Sequence, residues 1–571
     1  MQELENIVLQ IIEKHPKTKD DFNEAKRQIT SKLQINSPSN RNLISAYQNL
    51  LKKKRVVKDV GLEFLMRKAE MRTLSGVAII TSLVKPYACP GDCIYCPTEV
   101  KMPKSYIATE PAAARALALK FDPYEQMRRR IEVLEQNNHP TDKIEFIIKG
   151  GTWNAYPLLY QYWFVLRSFQ ACNDLSRKNK RLKDYKIKRL PDNHNLSIFQ
   201  SFNLEDLQNL LNTEQQYNDK KARHKIIGVT LETRPDAISP KTIYHMRQQG
   251  CTRIELGLQA PDDNILKLIK RGHTVQQFKD AMYLLRQAGF KVDLHFMPAL
   301  PGSSAKHDVE MYKQLFSDPG LKPDMIKIYP CTVIKNTELY TWLQNKKYKP
   351  YDQKDLFESI IQMKINTPRY CRISRLIRDI PANEIEGGNI ITNLREALQS
   401  EMKKRGLKCE CLRCREVGHV STLARQHFST LAPKPFIDVY ETNGGTEYFL
   451  SFEDSKRHVV FAFLRLRIPN QSPSIFKGGV GGGLLDHLPE MKNSAFIREL
   501  HTYGQLLELG EKNKSASQHK GLGKKLVQKA EKIAKKNGYT KLAVISGVGV
   551  RGYYRKLGYK KRGTYMVKNI K

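Results

Sequence analysis

Three cysteines early in the chain have a spacing that suits a reactive iron–sulfur centre. Cys89, Cys93 and Cys96 form a C-x3-C-x2-C motif on a loop that follows a short apolar run. Three thiolates can ligate three irons of a 4Fe–4S cluster and leave the fourth iron open to a substrate, whereas a site with four protein ligands is closed. A zinc knuckle with a distant fourth ligand is the alternative interpretation. We favour the open cluster.

A second group of residues has the composition of a phosphate-binding turn before a helix predicted to begin near Lys520. Backbone N–H groups and the positive end of the helix dipole meet at such a turn, which suits a pyrophosphate. The strand KLAVISGV follows, and Tyr553 and Tyr554 then occupy adjacent positions of a short helix. Because adjacent helical positions face different directions, one of these tyrosines is equally compatible with a place in the core. The turn consists of Gln518, His519, Lys520, Gly521, Leu522 and Gly523.

A third group, Cys409, Cys411 and Cys414, forms a compact C-x-C-x2-C motif. Zinc in a structural role is the predicted occupant, and a second iron–sulfur cluster is the alternative. The local sequence lacks a fourth ligand, for which Cys371 and His419 are candidates. Clustered thiols of this kind indicate a reducing compartment with metal-bound thiolates rather than a disulfide framework.

These groups need a scaffold that brings them together, and the apolar runs predict one. Short β-branched runs alternate with amphipathic stretches, which indicates repeated βα units around a parallel sheet. Six such units form an open, partial barrel, so the predicted fold class is α/β. The predicted strands lie at 76–84, 144–149, 225–232, 253–258, 291–297 and 325–329.

Polar or glycine-bearing clusters follow the carboxyl end of every predicted strand, which is where parallel βα folds assemble their sites. Gly150 and Gly151 follow the second strand and let the backbone approach a ligand closely. Glu232 and Arg234 end the third strand and Gln259 ends the fourth. A glutamate beside an arginine can be a simple ion pair, but the shared strand-end position favours one active site.

The pattern of residues in the sequence changes after about residue 400, and we place a domain junction there. Alternating patterns predict strands at 447–452, 458–466 and 496–509, followed by the helix from Lys520. The predicted organisation is a basic helical region at 1–70, a barrel at 71–395, a cysteine-rich zinc linker at 396–425 and a second α/β domain at 426–571.

The chain is strongly basic, with 96 Lys and Arg against 58 Asp and Glu, a formal net charge of +38. RNA or DNA is the first candidate partner for such a charge, although surface lysines that are merely solvated are the alternative. No stretch is apolar enough for a membrane helix and no signal peptide is evident, which predicts a cytoplasmic protein without a membrane partner. The basic residues cluster at Lys52, Lys53, Lys54, Arg55 and Lys58, and again at Arg177, Lys178, Lys180, Arg181, Lys183, Lys186, Lys188 and Arg189.

The cysteine loop resembles the signature of radical-SAM enzymes, and the turn, strand and tyrosine helix resemble the GNAT acetyltransferase fold. Together the segments resemble one family, Elongator complex protein 3, from about residue 71 to the C-terminus. The matching segments are Met71-Arg72-Thr73, the cysteine loop, KIEFIIKGGTW, GVTLETRPD, CTRIELGLQ, KRGHT, HFMPALPG, KIYPCTVIKNTELY, RDIP, CREVG, RELHTYG and GYTKLAVISGVGVRGYYRKLGY.

This resemblance implies a tRNA uridine(34) enzyme that uses radical chemistry of S-adenosylmethionine, with acetyl-CoA as carbon source, to form 5-carboxymethyluridine at the wobble position. It implies that Lys327 and Tyr329 position the uracil or the acetyl group, and that Tyr553 or Tyr554 lies near the thioester. The residues implied for S-adenosylmethionine are Gly150, Gly151, Thr152, Glu232, Arg234 and Gln259. Those expected for acetyl-CoA are Lys149, the turn 518–523 and Tyr553.

The compact cysteine spacing resembles that of prokaryotic members, which implies an enzyme that acts without the partner subunits of eukaryotic Elongator.

Three other functions are alternatives to this prediction. A protein lysine acetyltransferase would leave the cysteine loop and the strand-end clusters unexplained. A radical-SAM enzyme with a degenerate GNAT domain is the second, and a non-catalytic scaffold, which has no need of an open cluster, is the third.

Overall fold

The N-terminal region is a small helical bundle with its own apolar core. The computed structural model describes residues 2–67, 76–177, 203–416, 432–470, 483–503 and 521–570. The bundle contains α1 (Gln2–Glu13), α2 (Lys19–Lys32), α3 (Asn40–Lys52) and α4 (Val60–Met66). Side chains of Thr18, Ser39 and Asp59 accept hydrogen bonds from the first-turn N–H groups of α2, α3 and α4, which fixes where these helices begin. Its core includes Ile7, Ile11, Phe22, Leu43 and Tyr47.

The next part of the chain forms a parallel sheet. Its strands lie side by side in the order in which they occur in the sequence, except at one edge, as expected for an open barrel. The order of its seven described strands is β1-β2-β3-β4-β5-β6-β8. The strands are β1 (Ala78–Leu83), β2 (Lys143–Lys149), β3 (Lys225–Thr233), β4 (Cys251–Gln259), β5 (Lys291–Phe296), β6 (Met325–Ile328) and β8 (Arg372–Arg375), with β7 (Val333–Ile334) and β9 (Ile385–Gly387) forming a separate antiparallel pair.

Helices connect these strands and cover the outside of the sheet. β4 is buried at every position, so the centre of the sheet lies in the main apolar core. The helices are α5 (Pro111–Ala118), α6 (Pro123–Gln136), α7 (Leu158–Asp174), α8 (Leu204–Lys220), α9 (Pro240–Gln248), α10 (Asp263–Leu268), α11 (Val275–Gln287), α12 (Ala305–Ser317), α13 (Glu338–Gln344), α14 (Gln353–Ile365), α15 (Leu394–Lys404) and α16 (Leu412–Arg415).

The C-terminal part forms a second sheet that is mostly antiparallel, in the order β10-β11-β12-β13-β14-β16-β15. Only β13 and β14 pair in parallel among these described strands. Its elements are β10 (Lys434–Thr442), β11 (Gly445–Glu453), β12 (Val460–Pro469), α17 (Leu484–His487), β13 (Ser494–Thr502), α18 (Leu522–Lys536), β14 (Lys541–Val544), α19 (Arg551–Lys556), β15 (Lys560–Arg562) and β16 (Tyr565–Asn569).

All six strands predicted for the barrel are present, and the parallel α/β architecture with a second α/β sheet is confirmed. The barrel sheet extends one strand further, because β8 pairs with β6 in parallel. β8 is short and polar, with the sequence RISR, so it lacks the apolar run by which strands are recognised. Of the strand predicted at 496–509, the structure contains β13 up to Thr502, and residues 504–509 lie outside the described ranges.

The second domain packs against the amino ends of the barrel strands. Close contact requires glycine at two positions of the loop before α19: an added Cβ at Gly547 would overlap the carbonyl group of Ile227, and one at Gly549 would meet Lys225. Tyr565 donates a hydrogen bond to the carbonyl oxygen of Ala288 at 2.8 Å. No helix in the described ranges has the length and apolarity needed to cross a bilayer.

Candidate active site

One cavity of about 1500 Å³ connects the barrel with the second domain. Its wall includes the cysteine loop at the carboxyl ends of the barrel strands and interior residues along those strands. Residues of β13, β14 and α19 complete the wall at the amino ends. The interior-facing residues of a barrel alternate along each strand, and here many of them are charged. Of the residues predicted for the second site, Tyr554 borders this space, whereas Gly521, Leu522, Gly523 and Tyr553 are not among its lining residues.

All three thiols of the cysteine loop border this cavity. The loop is held by a hydrogen bond from the backbone N–H of Ile94 to the carbonyl oxygen of Ile269, at 3.2 Å. Burial alone raises the pKa of a thiol, but the charge of Arg271, whose Nη1 donates to Sγ of Cys93 at 3.4 Å, lowers the pKa of Cys93. For Cys96, burial raises the pKa to about 12. A trio of thiols with an adjacent guanidinium fits a metal cluster, which would ionise all three sulfurs.

The glycine pair after β2 lies beside the cysteine loop. Gly150 has a φ of +131° and Gly151 a φ of +91°, values that L-residues with side chains rarely adopt. An added Cβ at Gly150 would also overlap the side chain of Val84. Oγ1 of Thr152 lies 3.7 Å from Sγ of Cys89. The turn thus presents backbone groups directly next to the predicted cluster.

Two further predicted residues present unsatisfied polar atoms near the cysteine loop. Arg234 is buried and binds Asp236 through Nε at 2.9 Å, while its Nη1 has no hydrogen-bond partner in the described ranges. The same Nη1 packs against Gly91, where a side chain would not fit. Gln259 has a φ of +78°, and its Oε1 likewise has no partner among those residues. Since buried polar atoms are normally paired, both atoms suit a polar ligand in the cavity.

The middle of the barrel contains a cluster of five titratable side chains: Lys149, Glu232, Glu255, His295 and Lys327. The carboxylate of Glu255 contacts the ammonium groups of both lysines and lies 3.4 Å from Nε2 of His295. Lys149 also lies 3.4 Å from Glu232. We call these five residues the barrel charge cluster. Its two carboxylates balance its two ammonium groups, which makes such deep burial tolerable.

The electrostatics of the barrel charge cluster keep the carboxylate of Glu232 ionised. Burial alone raises the pKa of Glu232, but the positive charges of Lys149 and Lys327 lower it to about 2. Burial, with the positive charge of Lys327, holds the pKa of His295 well below its ordinary value, so the imidazole is neutral. His295 makes an edge contact with the ring of Tyr329, with centroids 5.5 Å apart.

Oxygen and nitrogen atoms of Glu232, Glu255 and His295 lie within 4.8 Å of one another, a grouping that can hold a metal ion. Ammonium groups of Lys149 and Lys327 already contact these carboxylates, and a divalent cation would have to displace them. The donor set therefore does not fit a metal. Glu255 and His295 were missed by the sequence analysis; the period-two alternation of β4 and β5, which places them inside, was the available signal.

The second cysteine motif does form a group. The Sγ atoms of Cys409, Cys411 and Cys414 lie within 4.8 Å of one another, and thiols of this number and spacing suit a metal ion. Cys371 lies on a neighbouring segment, where its carbonyl oxygen accepts a hydrogen bond from the backbone N–H of Leu412 at 2.8 Å. Burial raises the pKa of the Cys371 thiol. The other candidate for a fourth ligand, His419, lies outside the described residues.

The predicted acetyl-CoA turn is only partly described, because Gln518, His519 and Lys520 lie outside the described ranges. Gly521 has a φ of +95° and precedes α18. Gly523 lies in the first turn of α18, and an added Cβ there would lie 2.8 Å from the hydroxyl oxygen of Tyr553. Tyr553 is 40% exposed, whereas Tyr554 is 6% exposed, belongs to the apolar core and lines the cavity. The two tyrosines thus have different surroundings.

β13 and β14 part at the place where the cavity reaches the second domain. Residues Ser494 to Ile497 of β13 pair with Lys541 to Val544 of β14. Beyond them, β13 continues to Thr502 without β14 as a neighbour. We call the gap beyond this pairing the strand opening. A gap between two parallel strands offers unpaired backbone groups to an extended ligand. The residues of the strand opening that line the cavity include Glu499, His501, Tyr503, Ser546 and Tyr554.

Family models match both halves of the chain. The Radical SAM superfamily matches residues 83–315, the Radical_SAM C-terminal domain matches 323–404, and the Acetyltransferase (GNAT) family matches 427–559. The tRNA uridine(34) acetyltransferase of Methanocaldococcus infernus is 41% identical over 89% of this chain and 88% of its own length. Elongator complex protein 3 of Homo sapiens is 33% identical over 99% of this chain and 96% of its own. The chain belongs to the Elongator complex protein 3 family.

Membership of the Elongator complex protein 3 family extends to the three-dimensional structure. A solved structure of the archaeal Methanocaldococcus infernus Elp3 with an N-terminal deletion matches with a TM-score of 0.67 and 37% identity, covering 87% of this chain and 99% of that chain. The family prediction made from the motifs is therefore confirmed. The order of a radical-SAM barrel and a GNAT domain, with the Cys409–Cys411–Cys414 group between them, matches the predicted architecture.

Proposed function

We propose that this protein is a tRNA uridine(34) acetyltransferase that forms 5-carboxymethyluridine at the wobble position of tRNA. Similar proteins with that name align with most of the chain at 38–41% identity. The observation that carries the proposal is the single cavity that joins the cysteine loop to the GNAT strands. A radical step and an acyl-group donor have to meet at one substrate, and only a shared space permits this.

In this proposal, Cys89, Cys93 and Cys96 ligate a 4Fe–4S cluster in the barrel. The cluster and S-adenosylmethionine, when bound, supply the one-electron chemistry that activates a C–H bond. The backbone of Gly150 and Gly151 approaches the methionyl group, and Arg234 and Gln259 offer the unpaired atoms Nη1 and Oε1 to its polar groups. Thr152 and Glu232 complete the wall on this side.

The barrel charge cluster orients the substrates next to the cysteine loop. Lys327 and Tyr329 hold a carbonyl oxygen of the uracil or of the acetyl group by hydrogen bonds. Lys149 belongs to the same cluster and contacts Glu255 rather than the glycine turn, so its proposed contact with acetyl-CoA is with the acetyl end. Lys327 is buried, and the low dielectric of its surroundings strengthens its interactions.

Acetyl-CoA binds at the GNAT domain, with its pyrophosphate on the turn 518–523 at the start of α18. Tyr553 contacts the ligand beside Gly523, where its hydroxyl group already lies. Tyr554 borders the strand opening and forms the wall next to the thioester. The acyl end then points along the cavity towards the barrel.

The Cys409–Cys411–Cys414 group holds zinc in a structural role. It stabilises the junction at which α16 and β8 pack, because α16 begins directly after Cys411. Cys371 or His419 supplies the fourth ligand. None of the chain's ten cysteines, all of which are described, forms a disulfide, as expected for a protein that acts in the reducing cytoplasm.

The tRNA partner accounts for the net charge of +38. The N-terminal bundle contributes exposed basic residues at the end of α3, including Lys52, Lys54 and Arg55, which contact tRNA phosphates. The run from Lys178 to Arg189 lies outside the described residues and is assigned to the same role by its charge. The anticodon stem–loop reaches the cavity from this side. The enzyme acts without Elongator-like subunits.

The test is anaerobic reconstitution with iron, sulfide, reductant, S-adenosylmethionine, acetyl-CoA and bulk tRNA, followed by nucleoside mass spectrometry. We expect 5-carboxymethyluridine, which should disappear when Cys93 is replaced by alanine because the cluster then loses a ligand. A protein lysine acetyltransferase, the competing function, would instead form acetyl-lysine on added protein and be insensitive to Cys93→Ala. That outcome would contradict the proposal.

A further inference from the structure

The strand opening contains an imidazole with an unsatisfied nitrogen. His501 lies in the part of β13 beyond its pairing with β14 and lines the cavity. Its Nε2 is buried and has no hydrogen-bond partner within the described part of the chain. A buried polar atom without a partner is destabilising, so this nitrogen suits a partner that arrives with a ligand. Phe463 supports the ring by stacking, with centroids 5.9 Å apart.

A bulge in β13 directs His501 towards the barrel. The register of the β12–β13 pair shifts between Arg465 and Leu466, so two successive residues of β13 point the same way. Arg498 contacts Asp324, and Glu499 contacts Lys291 at 3.1 Å, which shows that both face the barrel. His501 follows Glu499 by two positions and therefore shares its face. The imidazole thus lies between the GNAT strands and the barrel interior.

The carboxylates near His501 already form ion pairs with arginine and lysine side chains. Glu499 binds Lys291 and Arg465, and although burial alone raises its pKa, these charges lower it to about 2. Glu416 binds Arg372 through both carboxylate oxygens, at 2.5 and 3.1 Å. Carboxylates held in this way are poor proton acceptors at neutral pH. His501 is the better base in this part of the cavity.

The surroundings of His501 also keep its ring neutral. Burial lowers the pKa of the imidazole, and the positive charges of Lys291 and Arg372 act in the same direction, against the opposing charges of Glu416 and Glu499. Tyr503, whose ring centroid lies 4.3 Å away, stays protonated because burial raises its pKa. A neutral imidazole with a free nitrogen can accept a proton, whereas an imidazolium cannot.

We propose that His501 is the general base that activates water for hydrolysis of the acyl thioester. Nε2 accepts a proton from water as the water oxygen bonds to the thioester carbonyl carbon. The C–S bond then breaks, and the imidazolium returns the proton to the sulfur of coenzyme A. The products are a carboxylic acid, which ionises, and a free thiol, with no oxidation or reduction. This assignment rests on the proposed use of acetyl-CoA by the GNAT domain.

Release of free coenzyme A by the holoenzyme, with acetyl-CoA and bulk tRNA, tests the role of His501 separately from nucleoside formation. We expect His501→Gln to lower kcat at least about 10²-fold while KM for acetyl-CoA changes by less than about threefold, because the base acts in the transition state. His458→Gln is the matched control, since His458 is exposed on the turn between β11 and β12. It should leave kcat unchanged.

The pH profile distinguishes a base from a structural residue. The wild-type rate should be constant above the imidazole pKa, which lies below its ordinary value of 6.5, and should fall as the pH drops through it. His501→Gln should lack this acidic limb, and His501→Asn replaces it if the glutamine variant does not fold. Unchanged kcat in the variant, an unchanged acidic limb, or no thioester hydrolysis by the wild type would each overturn the assignment. Hydrolysis without 5-carboxymethyluridine would instead contradict only the proposed nucleoside product.

Discussion

At the scale of single residues, the barrel interior is organised by charge balance. Glu255 is 1% exposed and is the carboxylate that both Lys149 and Lys327 contact. Burial lowers the pKa of the Lys149 ammonium well below its ordinary value, against the opposing charge of Glu232. Substrates that hydrogen-bond to these lysines therefore meet amino groups held in a fixed place by carboxylates rather than by water.

Replacing Glu255 by glutamine should destabilise the protein strongly, because two buried ammonium groups would then share the single charge of Glu232. Breaking a buried ion pair costs about 3–5 kcal/mol, which should lower the midpoint of thermal unfolding by several degrees. The double variant Glu255→Gln/Lys327→Met should recover most of this loss, since it removes one charge of each sign. Scanning calorimetry measures both, with Glu13→Gln on the exposed face of α1 as the control. Equal midpoints for the single variant and the control would contradict the charge-balance account.

At the scale of elements, the ends of strands and helices supply the groups that face ligands. The barrel strands end at the cysteine loop and the glycine pair, and α18 begins directly after Gly521, with the N–H groups of its first turn at that end. The β13–β14 pair stops halfway along β13, which creates the strand opening. Function in this fold thus depends on where strands and helices end.

Gly521→Glu tests the proposed pyrophosphate turn at this scale. The added carboxylate should repel the ligand phosphates and raise the Kd for acetyl-CoA more than tenfold, which calorimetric titration measures. Gly406→Glu is the matched control, because Gly406 also has a positive φ, of +67°, and an added Cβ at either position meets nothing within 4 Å. Both variants place a side chain at a backbone position with positive φ and add the same charge. An unchanged Kd in Gly521→Glu would place acetyl-CoA elsewhere.

At the scale of the whole molecule, buried arginines join the two domains. Arg498 of β13 donates to both carboxylate oxygens of Asp324 in the barrel, at 2.8 and 2.5 Å, and to the carbonyl oxygen of Phe290 at 2.7 Å. Arg286 of α11 reaches Glu447 of β11 at 3.0 Å. These pairs have no exposure to solvent, so sliding of the domains would leave charges buried without partners. The shared cavity therefore has a fixed shape.

Arg498→Met should loosen the contact between the domains. It leaves Asp324 with fewer partners and should lower stability by about 3–5 kcal/mol, splitting a single calorimetric unfolding transition into two. We expect the rate of 5-carboxymethyluridine formation to fall more than the rate of thioester hydrolysis. Only formation of the nucleoside requires the two domains to keep their relative positions. The control is Arg562→Met, an exposed position on β15. A single transition at the wild-type temperature would show that the arginine network does not couple the domains.

The sequence by itself determined much of this protein. Motif spacing identified the three-cysteine loop, the second cysteine group and the glycine turn, because their chemistry depends on residues close together in the chain. Apolar periodicity located the six predicted barrel strands, since each places apolar side chains in the core. These features are local, so they need no knowledge of which distant segments meet.

Only the tertiary structure decided which distant residues share a space. Glu255 contacts Lys149 and Lys327 and lies beside His295, so this cluster joins residues of β2, β4, β5 and β6. No spacing in the sequence predicts these contacts. The sequence analysis did not predict the polar strand β8, because a strand at the edge of a sheet does not need an apolar run. The bulge that turns His501 towards the barrel depends on the register between β12 and β13. Long-range pairing and register are set by packing of the whole chain, which is why the joined cavity appears only in three dimensions.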